Sequence, residues 1–302
     1  MTLDRGATGV DVESIIAALR QDQVVLIPGV APEQADDLMF RVAERAGLAE
    51  ALQLQAGFAD LHGHRTRIGK YFMTVNKRRD YQFVGPHSEG SSFAGMQLAA
   101  FLCYRNTTDG GETILLNADD SSPAWNSLRE RVRRGRVASR PLAPHEITRV
   151  RGMYQLRLPD DMLRDDDQVI SETKTPIPGL TVLDVLAKPK KVRSRLLDRD
   201  LYAYWDTIES VDADSAREFE RLLQRTGLLK EPPADFDRRA MDDAVARRIW
   251  RSGVTYDQLF RCKVTRKLAP GELILVNNLT WTHAVSNWTP SSGTREVAAA
   301  FA

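Results

Sequence analysis

Cysteine is scarce in this chain of 302 residues: there are two, Cys103 and Cys262. They lie far apart and form no Cys-x-x-Cys pattern, which excludes a thiolate zinc site and a disulfide framework; free, buried thiols are expected. A run of about 18 apolar residues is also missing, so no membrane-spanning helix is expected. Met1-Thr2-Leu3-Asp4-Arg5 lacks the basic and apolar regions of a secretory signal, and a cytoplasmic location is expected. In that compartment the Asn-x-Thr sequons at Asn106, Asn278 and Asn287 carry no weight. Charge of one sign is lacking too: 42 Lys and Arg stand against 41 Asp and Glu, a formal net charge of +1. This gives no general pull toward nucleic acid or an anionic membrane, and no sustained basic, aromatic-interleaved patch occurs. Arginine outnumbers lysine 33 to 9, which reads as compositional bias. There is no internal repeat and no low-complexity tract. Gly90-Ser91-Ser92 lacks the Gly-Lys-Ser/Thr ending of a phosphate loop. Asp212-x-Asp214 is no EF-hand, since Arg217 stands where the turn glycine is needed.

What remains is the composition of a globular protein, 42% hydrophobic and 27% charged. Ile15, Ile16 and Leu19 have helical spacing within residues 12–19. Residues 23–29 form an apolar strand stopped by Pro28-Gly29. Pro32 opens a second helix and Gly47 closes it, with Leu38, Val42 and Ala46 toward the core. Residues 50–85 show no clear period. Strands are expected over 96–104 and 112–116, then a helix over 124–134. Residues 145–260 differ, with an acidic loop (160–167), a basic run (188–195) and helices over 215–226 and 238–250. This stretch reads as a large insertion whose charge runs are solvated faces. Strand character returns at 259–264, 273–276 and 295–301.

The chemistry gathers at Pro86-His87-Ser88-Glu89. Side chains alternate along an extended segment, so His87 and Glu89 point to one side and could grip one metal ion. His283, 196 residues later, is the best third ligand. Two histidines and one carboxylate on one face of an octahedron are a common way to hold Fe(II) for oxygen chemistry. His62 and His64 are a rival His-x-His pair with no carboxylate at matching spacing, and His145 reads as a loop residue. Trp281 and Trp288 flank His283 and read as packing residues. Asn277 or Asn278 could orient His283 through a hydrogen bond.

The set His87-x-Glu89, Gly110-Gly111-Glu112-Thr113, Asn277 to His283, and Arg295 resembles the TauD/TfdA group of Fe(II)/2-oxoglutarate-dependent dioxygenases. Its His-x-Glu form is similar to the clavaminate synthase-like branch. The resemblance covers 23–29, 87–117 and 266–301. It implies an α+β, mainly β fold: one domain over 1–302 with a double-stranded β-helix (jelly-roll) core, flanking helices and the insertion at about 145–260. It implies that His87, Glu89 and His283 bind iron, that Arg295 pairs with the far carboxylate of 2-oxoglutarate, and that Thr113 hydrogen-bonds to it. Fe(II), 2-oxoglutarate and O2 would be the cofactor and co-substrates. Hydroxylation, desaturation or cyclisation of a small molecule, such as an amino acid or a secondary-metabolite intermediate, would follow. Glu89 fills the position that a halogenase must leave to halide. Ser91, Ser92, Phe93 and Trp281 are candidate substrate contacts. No nucleic acid and no membrane partner are expected, and homo-oligomerisation is left open. The competing reading is a jelly-roll protein that binds a metal or ligand without redox turnover.

Overall fold

The structure is a computed structural model that describes residues 2, 11–62, 65–75, 78–89, 96–138, 140–202, 214–241, 249–250 and 254–302. Asp11 caps α1 (Val12–Gln21) by accepting from the N–H groups of Glu13 and Ser14. Strand β1 (Val24–Ile27) stops at Pro28-Gly29, and Gly29 takes a positive φ of 70°. Helix α2 (Pro32–Arg45) begins on its proline. Helix α3 (Ala49–His62) fills part of the stretch without a clear sequence period. Then come β2 (Met73–Thr74), β3 (Val84–His87), β4 (Leu98–Asn106) and β5 (Thr113–Ala118).

Residues 119–259 hold β6 (Arg129–Val137), α4 (Pro144–Tyr154), β7 (Gln168–Lys174), β8 (Leu180–Ala187), β9 (Lys191–Arg193) and β10 (Asp200–Tyr202). They also hold α5 (Asp214–Arg225), β11 (Ile249–Trp250) and α6 (Tyr256–Leu259). The chain finishes with β12 (Phe260–Arg266), β13 (Leu273–Asn277), β14 (Trp281–Val285) and β15 (Arg295–Phe301).

Two antiparallel sheets position the site. One has the order β1-β13-β4-β15-β2 and the other β12-β5-β14-β3. From β3 to β5, and again from β12 to β15, successive strands alternate between the two sheets. Period-two alternation explains how β4 serves both of its faces. Ala99, Phe101 and Cys103 join Leu115, Trp281 and Phe301 in the core between the sheets. Leu98, Ala100 and Leu102 pack outward against Ile16, Leu19, Met39 and Val42 of α1 and α2. The outer face of the second sheet, through Ile114, Leu116 and Ala284, is covered by Phe219 and Leu223 of α5.

Strands β5 and β12 pair directly, so everything from 119 to 259 is an excursion between two neighbouring strands. The excursion is less helical than the sequence suggests. The helix expected over 124–134 is only a 3-10 turn at Pro123–Asn126, followed by β6. Leu128 and Val132 are spaced as on a helix, but β6 pairs with the apolar β8 over eight residues, and cross-strand pairing overrides local preference. The helix expected over 238–250 survives as a 3-10 turn at Arg238–Met241, while Ile249–Trp250 pairs with β6; residues 242–248 lie outside the described residues. Cys103 is buried as expected, but Cys262 is exposed on β12. No helix of the described residues is long and apolar enough to cross a membrane.

Candidate metal centre

His87 ends β3 and His283 sits in β14, and the antiparallel register makes the two direct partners. The next pair is Val84 with Val285, so β3 has one more residue than β14 between the two pairings. That bulge falls at Gly85-Pro86, and bulges re-aim side chains beside functional sites. Here it also supplies an acceptor. His87 Nδ1 lies 3.0 Å from the Gly85 carbonyl oxygen. A carbonyl only accepts, so Nδ1 carries the proton and Nε2 is the nitrogen that faces Glu89.

The Nε2 atoms of both histidines converge on one oxygen. Glu89 Oε1 is 3.7 Å from His87 Nε2 and 4.0 Å from His283 Nε2. One ligand atom from each residue fits within 4.8 Å of the other two. The two rings stand 4.1 Å apart, centroid to centroid. Among the described residues this is the one cluster of three or more histidine, cysteine or acidic side chains with that closeness. His283 is held between aromatic rings, 4.7 Å from Phe101 and 6.4 Å from Phe301.

Electrostatics set the protonation states that a metal ion needs. Burial, with His87 beside it, holds His283 well below the ordinary imidazole range, against the pull of Glu89. The ring is therefore neutral near pH 7, with its lone pair available. Burial alone would raise the Glu89 carboxyl, but His87, Arg65 and His283 outweigh it and hold it well below the usual carboxylate range. Two imidazole nitrogens and one carboxylate at this spacing suit a divalent transition metal that uses N and O ligands.

Two neighbours of Glu89 take roles that the sequence does not show. Arg65 Nη2 donates to Glu89 Oε1 at 3.2 Å and its guanidinium lies 5.7 Å from the Phe301 ring centroid. Asn278, expected to orient His283, instead clamps the backbone around the carboxylate ligand. Its Oδ1 accepts from the Glu89 N–H at 3.1 Å, and its Nδ2 donates to the carbonyls of Glu89 (2.7 Å) and Met96 (3.0 Å). Asn277 Oδ1 accepts from the Leu279 N–H at 3.1 Å.

Arg295 begins β15 on the face that also carries Val297, Ala299 and Phe301, the inter-sheet core. Its Nε donates to the Gly111 carbonyl at 3.0 Å. Among the described residues its Nη atoms have no hydrogen bond and no carboxylate at ion-pair distance. Burial lowers it to about 10, against Cys103 and Glu112, so it stays charged at neutral pH. Gly111 has φ +74°, and a Cβ there would stand 2.8 Å from Arg295 Cδ. Thr113, two residues on, is buried opposite Val285. Trp281, on the same face of β14 as His283, is buried in the inter-sheet core with Nε1 unpaired.

The other candidates do not join the cluster. His145 is exposed in the first turn of α4. His64, Ser91, Ser92 and Phe93 lie outside the described residues, as does the side chain of His62.

No protein-family model matches the sequence. No curated protein matches it. Among solved structures, the chain is similar to PvcB from Pseudomonas aeruginosa, at 11% identity over 97% of this chain and 80% of that one, TM-score 0.43. A second PvcB structure, described as an Fe, alpha-ketoglutarate dependent oxygenase from an isonitrile synthetic pathway, gives 11%, 97%, 80% and 0.42. A taurine dioxygenase from Burkholderia xenovorans gives 16% identity over 98% and 82%, TM-score 0.41. At such identities and scores the functional reading rests on the three ligands and Arg295.

Proposed function

We propose that this chain is a cytoplasmic Fe(II)/2-oxoglutarate-dependent oxygenase with a jelly-roll core, acting as one domain on a small molecule. The observation that carries the reading is the convergence of two imidazoles and one ionised carboxylate beside a core in which Arg295 keeps its Nη atoms free. When bound, Fe(II), 2-oxoglutarate and O2 supply oxidation of an unactivated C–H bond, with release of succinate and CO2.

The chain's own residues do the placing. The Gly85 carbonyl orients His87, the Phe101 and Phe301 rings hold His283, and Asn278 holds the backbone of Glu89. Two neutral ligands and one anion leave a divalent ion with net positive charge, which favours an anionic chelator. Arg295 then offers a planar fork to the far carboxylate of 2-oxoglutarate, strengthened by burial, and the Thr113 hydroxyl adds a donor without charge. Apolar walls from Phe101, Phe301 and Trp281 exclude water from the reaction. The substrate class is an amino acid or secondary-metabolite intermediate, undergoing hydroxylation, desaturation or cyclisation, and Glu89 argues against halogenation.

A turnover screen over amino acids and related small acids tests this, with succinate as the readout and E89A as the blank. Succinate above the blank supports the reading. If no compound raises it, and the substrate-free reaction also matches the blank, the oxygenase reading fails and a non-redox metal-binding protein stands in its place.

A further inference from the structure

The excursion between β5 and β12 contains a cavity of about 380 Å3 that shares no lining residue with the metal centre. Its wall comes from Glu130 and Arg134 of β6, Arg157 beyond α4, and Lys188, Lys190 and Lys191 after β8. Five cations line it against two carboxylates, Glu130 and Asp161. Its size falls within the usual range for small-molecule pockets. A wider groove sharing the three lysines adds Arg164 together with the carboxylates Asp160 and Asp166.

Part of the wall is charged where it is also buried, while Arg157, Lys188, Lys190 and Lys191 are exposed to an incoming ligand. Glu130 is 9% exposed and Arg134 only 2%. Buried charges are costly unless paired. Arg134 meets that cost from behind, with Nε 2.9 Å from Asp167 Oδ2. Lys188 takes Asp166 at 3.5 Å. Asp161 is then shared, 3.7 Å from Arg134 and 3.9 Å from Lys190 Nζ, the latter beyond hydrogen-bond distance. Lys190 is the under-neutralised group. Burial and the neighbouring cations Arg134 and Arg164 lower its pKa, and Asp161 and Glu130 do not offset them. Like charges gathered round an open space repel one another in the free protein. An anion in that space would relieve the repulsion. Lysine ammoniums act as point charges, a donor type suited to phosphate oxygens.

We propose that this cavity binds a phosphorylated small molecule, with Lys190 as the central contact to its phosphate group and Lys188 and Lys191 at the rim. The site is independent of the oxygenase reading.

The test uses the full chain with inorganic pyrophosphate as the probe and citrate as a second arm, against sodium chloride at equal ionic strength. Thermal unfolding and calorimetry are the readouts. Pyrophosphate is expected to raise Tm saturably, beyond chloride. K190Q is expected to weaken pyrophosphate about 10-fold, as loss of one charge-assisted contact does. The same variant is expected to leave the Tm of the free protein unchanged or higher, since it removes a repelled charge. A K190Q chain with lowered Tm and unchanged pyrophosphate affinity would assign Lys190 to structural ion pairing and overturn the site. So would a pyrophosphate response no larger than that of chloride. Citrate binding tighter than pyrophosphate would overturn the phosphate assignment.

Discussion

His87 and His283 are register partners across β3 and β14, with ring centroids 4.1 Å apart. The sheet itself therefore sets the distance between the two nitrogen ligands. Glu89 lies just past the end of β3, outside any strand. Its position depends on side chains reaching in from elsewhere, and the predictions divide along that line.

Replacing Glu89 removes the anionic ligand and leaves the pairing of β3 with β14 in place. E89A is expected to lose Co(II) or Fe(II) affinity by more than about 100-fold, the upper range for losing a mere supporting partner. Its circular dichroism should match wild type. Anaerobic metal titration checks this, and wild-type affinity in E89A would move the metal elsewhere.

Asn278 is fully buried and makes three hydrogen bonds to the backbone on either side of the Glu89–Met96 stretch. N278A leaves those backbone groups unsatisfied, at a cost of about 1–3 kcal/mol each at most. Metal affinity is expected to fall about 10- to 100-fold while His87 and His283 stay in register. Chemical denaturation and metal titration on the same variant separate the two effects.

Arg295 and Gly111 make a pair of linked predictions. R295A is expected to raise the 2-oxoglutarate concentration needed for half-maximal turnover, with a smaller effect on metal binding. G111A should do the same from a distance. Its Cβ would meet Arg295 Cδ at 2.8 Å, and its φ of +74° would add about 1–2 kcal/mol of strain. A G111A enzyme with unchanged 2-oxoglutarate requirement would show that Arg295 has no need of that space.

The pH dependence has a definite sign. The folded His283 titrates below its unfolded value of about 6.5. Between those two values the unfolded chain binds more protons, so stability of the metal-free protein falls as pH drops below about 6.5. Glu89, also depressed on folding, adds a second loss as pH falls below about 4.3. H283L is expected to flatten the first slope, read as unfolding midpoint against pH from 7.5 to 5.5. An equal slope in H283L would assign the loss to other groups.

Much of the centre was legible in the sequence because its logic is local. His87 and Glu89 follow the period of an extended segment, and the apolar strands around Phe101, Ile274 and Ala299 form where their patterns place them. Arg65 was hidden, and Asn278 was assigned to His283 instead of Glu89, because each reaches Glu89 across sequence separations of 24 and 189 residues with no local signature. Strand β6 falls where a helix is expected over 124–134, and its pairing with β8, which no local pattern shows, makes it a strand. Cys262 departs from the expected burial because it sits on an edge strand whose side chains are largely exposed.

If His87, Glu89 and His283 hold Fe(II), they leave a face for 2-oxoglutarate. Anaerobic addition of Fe(II) and then 2-oxoglutarate, followed by visible absorption, tests it most directly. A charge-transfer band is expected that saturates at one iron per chain, is absent in E89A, and needs more 2-oxoglutarate in R295A. No band in the wild-type chain, or an undiminished band in E89A, would contradict it.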